Sequence, residues 1–420
     1  MKIDFCLSSI YVSSALVTMT YTIISPFYPL IAEDKGMQKW MIGVIFMAMP
    51  ACACLVSTKI GDNISLIGRK SVLALGMISG AISLAILAAV PNCSLTTFTI
   101  LSLISRAFGG LSTAAIYIAS FSVIVNDYES ARDQYISVLN IFCGIGYIMG
   151  SWFGSMLYEW LGPIGCFLFS AILLLIPVWF ILRFVENSHN ITQERHEGTC
   201  WNLLKKRNVA LDVMVGLFTN VVYNFFFPSL GPFLDEEGYN EIEIGYVFML
   251  STFIYTLASA FIAFSIKRLN KLYLMISSVV FAVIGLVMIG PWENLLKNPS
   301  ALPIFGMSLI ALGGCLGFII PLPFILDSAE ELGIVQDQEM YDALSTLFNL
   351  IISFGEIIGP LLAGMLISIM GFANSCSVLS IFGAAFFIYY TGKRKEKSPL
   401  LSSKVSLTQD HHELSYFHDP

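Results

Sequence analysis

The sequence predicts an all-α integral membrane protein whose twelve transmembrane helices form two six-helix, pseudo-symmetric bundles. Three observations carry this prediction: an apolar composition, twelve apolar runs of membrane-spanning length, and a passage that occurs twice. The chain is 56% hydrophobic and 12% charged, with a mean hydropathy of +0.77. A soluble domain is about 45 to 50% apolar and about 25% charged.

A hydrocarbon core about 30 Å thick requires ~20 apolar residues of helix. Runs of that length lie near 5 to 31, 41 to 60, 72 to 91, 96 to 125, 136 to 158, 165 to 184, 209 to 233, 243 to 266, 272 to 290, 302 to 326, 343 to 367 and 371 to 391. They divide the chain into a first bundle over 1–185, a polar linker over 186–208, a second bundle over 209–391 and a polar tail over 392–420. The first run, from Phe5 to Ile31, is too long for the apolar region of a cleavable signal and reads as the first membrane helix.

Orientation follows from Lys and Arg. With both termini in the cytosol, cytosolic segments hold eighteen of the twenty-two basic residues. Lys35, Lys39 and Lys297 lie on the other side and Arg106 lies within a span. This bias is the positive-inside pattern. The net charge of -7 says nothing about partners here, and no basic patch outside short loops supports nucleic-acid binding. Cys6, Cys52, Cys54, Cys143, Cys315 and Cys376 sit in apolar runs, where a thiol acts as a small hydrophobe.

The duplicated passage is "PFYPLIAEDKGMQKWMIGVIFM" at 26–47 and "PSLGPFLDEEGYNEIEIGYVFM" at 228–249. Pro26 meets Pro228, Gly36 meets Gly238, and Ile42 and Gly43 meet Ile244 and Gly245. A second match aligns "GYIMGSWFGSMLYEWLG" at 146–162 with "GEIIGPLLAGMLISIMG" at 355–371, Gly146 on Gly355, Gly150 on Gly359 and Gly162 on Gly371, with Asn140 on Asn349 upstream. Six spans followed by six similar spans in the same orientation make a parallel repeat, and two such halves can rock about a site between them.

On these residues the chain resembles the major facilitator superfamily of secondary transporters. "GDNISLIGRK" after the second span resembles the family's Gly-, Asp- and Arg-containing loop, "RAFGGLSTAA" in the fourth its intramembrane Arg, and "GIGYIMGSWFGSMLYEWLG" in the fifth its antiporter glycine pattern. Within the superfamily the chain is similar to the vesicular amine transporters, especially their vesicular polyamine branch, through "PFYPLIAEDKG", "GPLLAGMLISIMGF" and "IIPLPFILD". Those carriers have acidic residues in the first and eleventh spans where this chain has residues such as Val17, Thr18 and Asn349. The resemblance therefore implies the major facilitator fold and proton-coupled antiport of a polyamine-like or other organic cation. It also implies an acidic role for Asp327 and a coupling or gating role for Arg106.

An ionisable group inside a membrane costs ~2.5 to 3.5 kcal/mol on insertion scales and is a functional candidate by default. Glu356 is the first candidate for proton coupling, near the middle of the eleventh span, with Asp327 second and Arg106 between gating and structure. All five histidines lie in the linker or tail, which leaves carboxylates to carry protons. Tyr21, Tyr117, Asn140, Asn220, Tyr223, Asn224 and Asn349 are the candidate substrate contacts, with aromatic faces available to a cation; each alone could equally be an interhelical hydrogen bond.

Gly146, Gly150, Gly154, Gly355 and Gly359 allow close helix approach, and Pro360 bends the helix beside them. Asp62, Gly68, Arg69 and Lys70 form a candidate conformational latch on the cytosolic face, and Glu33, Asp34, Asp235, Glu236, Glu237, Glu241 and Glu243 an acidic mouth on the other. Glu396, Leu400 and Leu401 have the spacing of an acidic dileucine sorting signal, which would recruit a sorting adaptor to an endosomal or lysosomal carrier.

The sequence thus predicts a monomeric transporter with a small solute and protons as partners, in a vesicular or lysosomal membrane. A plasma-membrane multidrug antiporter and a non-transporting receptor of the same fold are the alternatives. No metal-spaced His or Cys cluster, phosphate loop or nucleophile motif supports an enzyme, and neither a metal nor a cofactor is expected.

Overall fold

The computed structural model describes residues 5–128, 132–186, 207–265, 269–290, 302–325 and 338–395. Asp327, Glu396, Leu400, Leu401 and the side chain of Asn349 lie outside the described residues.

The first apolar run folds as α1 (Phe5–Thr22), a turn, and the short α2 (Tyr28–Asp34). The expected single helix is broken because Pro26 disfavours helical geometry at Ser25 and lacks an amide N–H of its own. α3 (Lys39–Ile67), α4 (Arg69–Ala89), α5 (Leu95–Asp127) and α6 (Arg132–Phe184) complete the first half. The second half repeats the design with α7 (Arg207–Phe225), the short α8 (Leu230–Glu236), α9 (Glu241–Ser265), α10 (Lys271–Ile289), α11 (Leu302–Ile319), α12 (Gln338–Met370) and α13 (Phe372–Lys395). α7 and α8 are bent by 44° around Pro228, so the break belongs to the repeat.

At 1.5 Å per residue the 53 residues of α6 would extend ~80 Å, more than two bilayer cores. Gly162, with φ 68° and followed by Pro163, divides it into two crossings. Its repeat partner Gly371, at φ 78°, separates α12 from α13. Gly36 and Gly238 likewise share a positive φ, 81° and 89°, at the turns into α3 and α9. A side chain at these turns would be strained. Among the described residues ten helices can cross a membrane; α7 with α8 makes an eleventh and the division of α6 a twelfth.

Lipid gives apolar helices little reason to associate, so backbone approach and polar bonds must hold them. In the first half α1 lies on α6. Thr18 Oγ1 donates to the Cys143 carbonyl at 3.1 Å and Thr22 Oγ1 to that of Tyr147 at 3.0 Å. A Cβ on Gly146 would strike Thr18 and the Ala15 carbonyl, and one on Gly150 would stand 2.6 Å from the Met19 carbonyl. In the second half α7 lies on α12 in the same way, with Gly355 against Asn220 and Gly359 against the Val221 carbonyl at 2.7 Å.

The two halves meet along two seams, α3 on α12 and α9 on α6, which the repeat exchanges. Gly43 of α3 faces Pro360 and Gly364 of α12, and its counterpart Gly245 of α9 faces Ser151 and Ser155 of α6. These contacts, with Gly231 against the Pro26 carbonyl and Lys39 against Glu236, lie toward the end of the molecule opposite the termini, here the distal end. The halves are therefore closed on one another distally.

The two glycine classes separate experimentally. Gly146→Ala should overpack α1 against α6 and cost about 1 to 3 kcal/mol, read as a lower thermal unfolding midpoint of the purified chain. Gly43→Ala should leave that midpoint nearly unchanged while making a cysteine introduced at the seam more reactive to a water-soluble reagent.

Candidate functional site

Glu356 lies on α12, eighteen residues from Gln338 and fourteen from Met370, or about 27 and 21 Å along the axis. It is half-buried although it stands at mid-helix, so space remains beside its carboxyl. Four tyrosines from four helices are in electrostatic contact with it: Tyr21 of α1, Tyr117 of α5, Tyr147 of α6 and Tyr255 of α9. Tyr223 of α7 stacks on Tyr255 with ring centroids 5.3 Å apart, and Phe227 lies edge-on to both Tyr21 and Tyr223 at 5.3 and 5.5 Å. Tyr21 also meets Tyr147 edge-on at 6.2 Å. The result is an aromatic chamber drawn from both halves, with one carboxyl in its wall.

The repeat explains how the chamber is built. Tyr21 and Tyr223 are counterparts, as are Tyr147 and Glu356, so the carboxyl occupies a place that the first half gives to a phenol. Thr18 corresponds to Asn220, and the Thr18 bond to the Cys143 carbonyl recurs as Asn220 Nδ2 donating to the Ile352 carbonyl at 3.0 Å. Asn220 is thus committed to holding α7 on α12, one turn before Glu356. Thr22 corresponds to Asn224, but here the pattern departs. Asn224 Nδ2 donates to the carbonyl of Asn220 at 2.9 Å and to its Oδ1 at 2.6 Å, while Asn224 Oδ1 accepts the Tyr21 hydroxyl at 3.0 Å. Tyr21, Asn224, Asn220 and the Ile352 carbonyl form a continuous relay across the halves.

Of the other sequence candidates, Tyr117 reaches the Cys143 thiol and the Tyr147 hydroxyl, and Asn140 is exposed on α6, seven residues before Tyr147. Tyr147 and Tyr255 were not among the predicted substrate contacts. The repeat pointed to Tyr147 as the partner of Glu356; Tyr255 has no sequence signal beyond its position in a span.

Arg106 is 1% exposed in the first bundle, with Nη1 3.6 Å from Met49 Sδ. Its Nε and Nη2 have no hydrogen-bond partner, and among the described residues no carboxylate pairs with it. Tyr28 and Tyr21 are the groups in electrostatic contact with it. Tyr21 is thus within electrostatic reach of both the buried guanidinium and the Glu356 carboxyl.

At the terminal end Gly68, at φ 87°, turns the chain into α4 and brings Arg69 beneath α5. Arg69 Nη1 donates to Asp127 Oδ1 at 2.9 Å and to the Ser122 carbonyl at 3.3 Å. Asp62 lies exposed on α3 and Lys70 is half-buried, while Arg69 pairs with Asp127 at the end of α5. Distally, Glu243 and Asn240 form a reciprocal cap on α9 at 2.9 and 3.0 Å, which gives that member of the acidic mouth a structural role.

With this geometry in place, the comparisons are decisive for the family. The model of the Major Facilitator Superfamily matches residues 10–336. The chain belongs to that superfamily. Among curated relatives of this major facilitator, the human MFS-type transporter SLC18B1 is 27% identical, over 93% of this chain and 88% of its own length. The mouse synaptic vesicular amine transporter is 22% identical over 94% of this chain and 74% of its own. The solved nucleoside transporter NupG superposes with a TM-score of 0.73 at 15% identity, covering 93% of this chain and 99% of that one. A bacterial homologue of the human lysosomal transporter Spinster gives 0.71 at 15% identity, covering 92% and 96%. Such distant structural likeness establishes the fold; the sequence relatives establish a secondary transporter related to the vesicular amine carriers.

A buried guanidinium without hydrogen bonds costs stability, and an apolar residue of similar volume relieves that cost. Arg106→Met should accordingly keep or raise the thermal unfolding midpoint while lowering transport at least tenfold. A lower midpoint would instead identify Arg106 as a structural residue.

Proposed function

We propose that this major facilitator exchanges protons for a small organic cation, polyamine-like or amine-like, by alternating access across an acidic vesicular or lysosomal membrane. The observation that carries this reading is the carboxyl of Glu356 among tyrosines contributed by both halves, the one carboxyl in electrostatic contact with them at this level among the described residues. Aromatic faces attract ammonium groups by about 0.5 to 2 kcal/mol each, depending on desolvation. A lone carboxylate adds the charge that selects a cation and can be neutralised by one proton. Proton and substrate then compete for one group, which is the minimum requirement of an exchanger.

In this reading Glu356 is the coupling group, Asp327 a second acidic position, and Tyr21, Tyr117, Tyr147, Tyr223 and Tyr255 the aromatic walls. Asn220 and Asn224 act through the relay that fixes α12 and connects it to Tyr21. Arg106 biases the field at Tyr21, and Arg69 with Asp127 steadies the cytosolic face. The charge asymmetry supports cytosolic termini and a luminal distal end, and the names of the curated relatives support a vesicular location. A sorting adaptor at Glu396, Leu400 and Leu401 belongs to the same proposal.

Uptake of labelled spermidine into acidified proteoliposomes tests it. The native chain should show uptake that collapses when the proton gradient is dissipated, and Glu356→Gln should lose at least 90% of the gradient-driven component. Spermidine binding without uptake would identify a receptor, and uptake of varied drug-like cations in preference to spermidine a multidrug exchanger.

A further inference from the structure

We propose that closure of the distal seam is itself a proton-uptake step, with Glu33 as the group that takes the proton. The inference rests on the alternating movement of the two halves and is independent of which solute they carry. Glu33 of α2 and Glu236 of α8 belong to opposite halves. Both face the ammonium of Lys39, at 3.7 and 3.6 Å. A cavity of about 20 Å³, room for about one water, opens beside them and is lined by Glu33, Lys39, Ser229, Phe233, Glu236 and Phe372.

The repeat makes the charge arrangement unequal. Lys39 corresponds to Glu241, and Glu33 and Asp34 correspond to Asp235 and Glu236. The counterpart of the Lys39–Glu236 contact is thus Glu241 with Asp34, two acids, and both are in electrostatic contact with Tyr158. Closing the seam brings Glu236 of one half up to Lys39 and Glu33 of the other, with Asp34 also acting on Glu33, so that three carboxylates share one ammonium. Fully ionised, that arrangement carries excess negative charge.

Glu33 is the enclosed member, with a side chain 26% exposed against 65% for Glu236 and 39% for Lys39. The other charges facing it are Lys39 on α3, Glu236 on α8 and Asp34 on its own helix. Lys35 turns away, with Nζ donating to the Cys93 carbonyl and lying over Phe98, and Asp235 and Glu237 are exposed. Burial, the largest cause, holds the Glu33 carboxyl above the ordinary carboxylate range; Lys39 opposes this, and Glu236 and Asp34 add to it.

A group that binds its proton more tightly in the closed seam than in the open one favours closure as pH falls. Its contribution is complete below the open-state pKa and is lost as pH rises through the closed-state value. An ion pair with Lys39, taken alone, would predict the reverse, because acid would dissolve it. Acid on the distal side therefore drives the seam shut. In an exchanger this is the half-cycle that returns the carrier toward the cytosolic side.

Spin labels at exposed Gln38 and Glu237, one on each half, report seam closure in the full chain in lipid nanodiscs. The closed population should rise several-fold from pH 7.5 to 5.5. Glu33→Gln, which copies the neutral acid, should be largely closed and flat over that range. Lys39→Gln should move the transition to higher pH, since it removes the charge that resists protonation. Opening on acidification, or a full pH response retained in Glu33→Gln, would overturn the proposal. Glu356→Gln should keep the seam response, so a chain that responds through Glu33 but shows no proton-driven uptake refutes the exchange reading and leaves this one standing.

Discussion

The structure depends on a constraint that lipid imposes: apolar surfaces gain little by meeting one another, so helices associate where backbones approach and hydroxyls or amides reach carbonyls. Here that condition is met by one device used twice. Gly146 and Gly150 admit α1, and Gly355 and Gly359 admit α7. The polar residues completing each crossing, Thr18 and Thr22 or Asn220 and Asn224, are repeat counterparts. The seams between halves use close backbone approach too, Gly43 on Pro360 and Gly364 and Gly245 on Ser151 and Ser155, but among the described residues the threonine and asparagine bonds to facing carbonyls that complete the device lie within each half.

The proposed function concentrates where the repeat is broken. Tyr147 becomes Glu356, which introduces charge into an otherwise phenolic wall. Thr22, which donates to the facing Tyr147 carbonyl, becomes Asn224, whose Oδ1 accepts the Tyr21 hydroxyl from the opposite half while its Nδ2 donates within its own helix turn. Lys39 becomes Glu241, which leaves Lys39 shared by Glu33 and Glu236 while its counterpart position is acidic. Each departure alters electrostatics while leaving helix packing nearly untouched, because the glycine crossings are kept. Symmetric packing with asymmetric charge allows the two states of the carrier to be similar in shape and different in proton affinity.

The unpaired Arg106 fits this picture. A buried guanidinium with two nitrogens unbonded is a cost the first bundle carries. It shares Tyr21 as an electrostatic neighbour with the half-buried Glu356 carboxyl, with which it makes no ion pair. A direct pair would fix both groups and remove the carboxyl from exchange. Sharing a phenol instead keeps the positive field while leaving Glu356 open to the chamber.

Much of the architecture was legible in the sequence, because membrane crossing is a requirement on length and hydropathy that each run meets locally. The duplication, Gly162 and Gly371 as helix dividers, and Glu356 as the intramembrane acid could all be read from residue spacing. The bend at Pro26 within the first run was the chief local surprise, although its repetition at Pro228 was visible. What the sequence by itself could not decide was direction. Asn220 and Asn224 share a face with Tyr223, yet only the packing of α7 on α12 shows that the amides serve carbonyls and the phenol faces the chamber. Arg69 meets Asp127, a partner invisible within its own loop, since nearly sixty residues separate the two and only the docking of α4 on α5 unites them. The pairing of Lys39 with Glu33 and Glu236 was likewise invisible, because it exists only when two halves close, and closure is a property of tertiary packing.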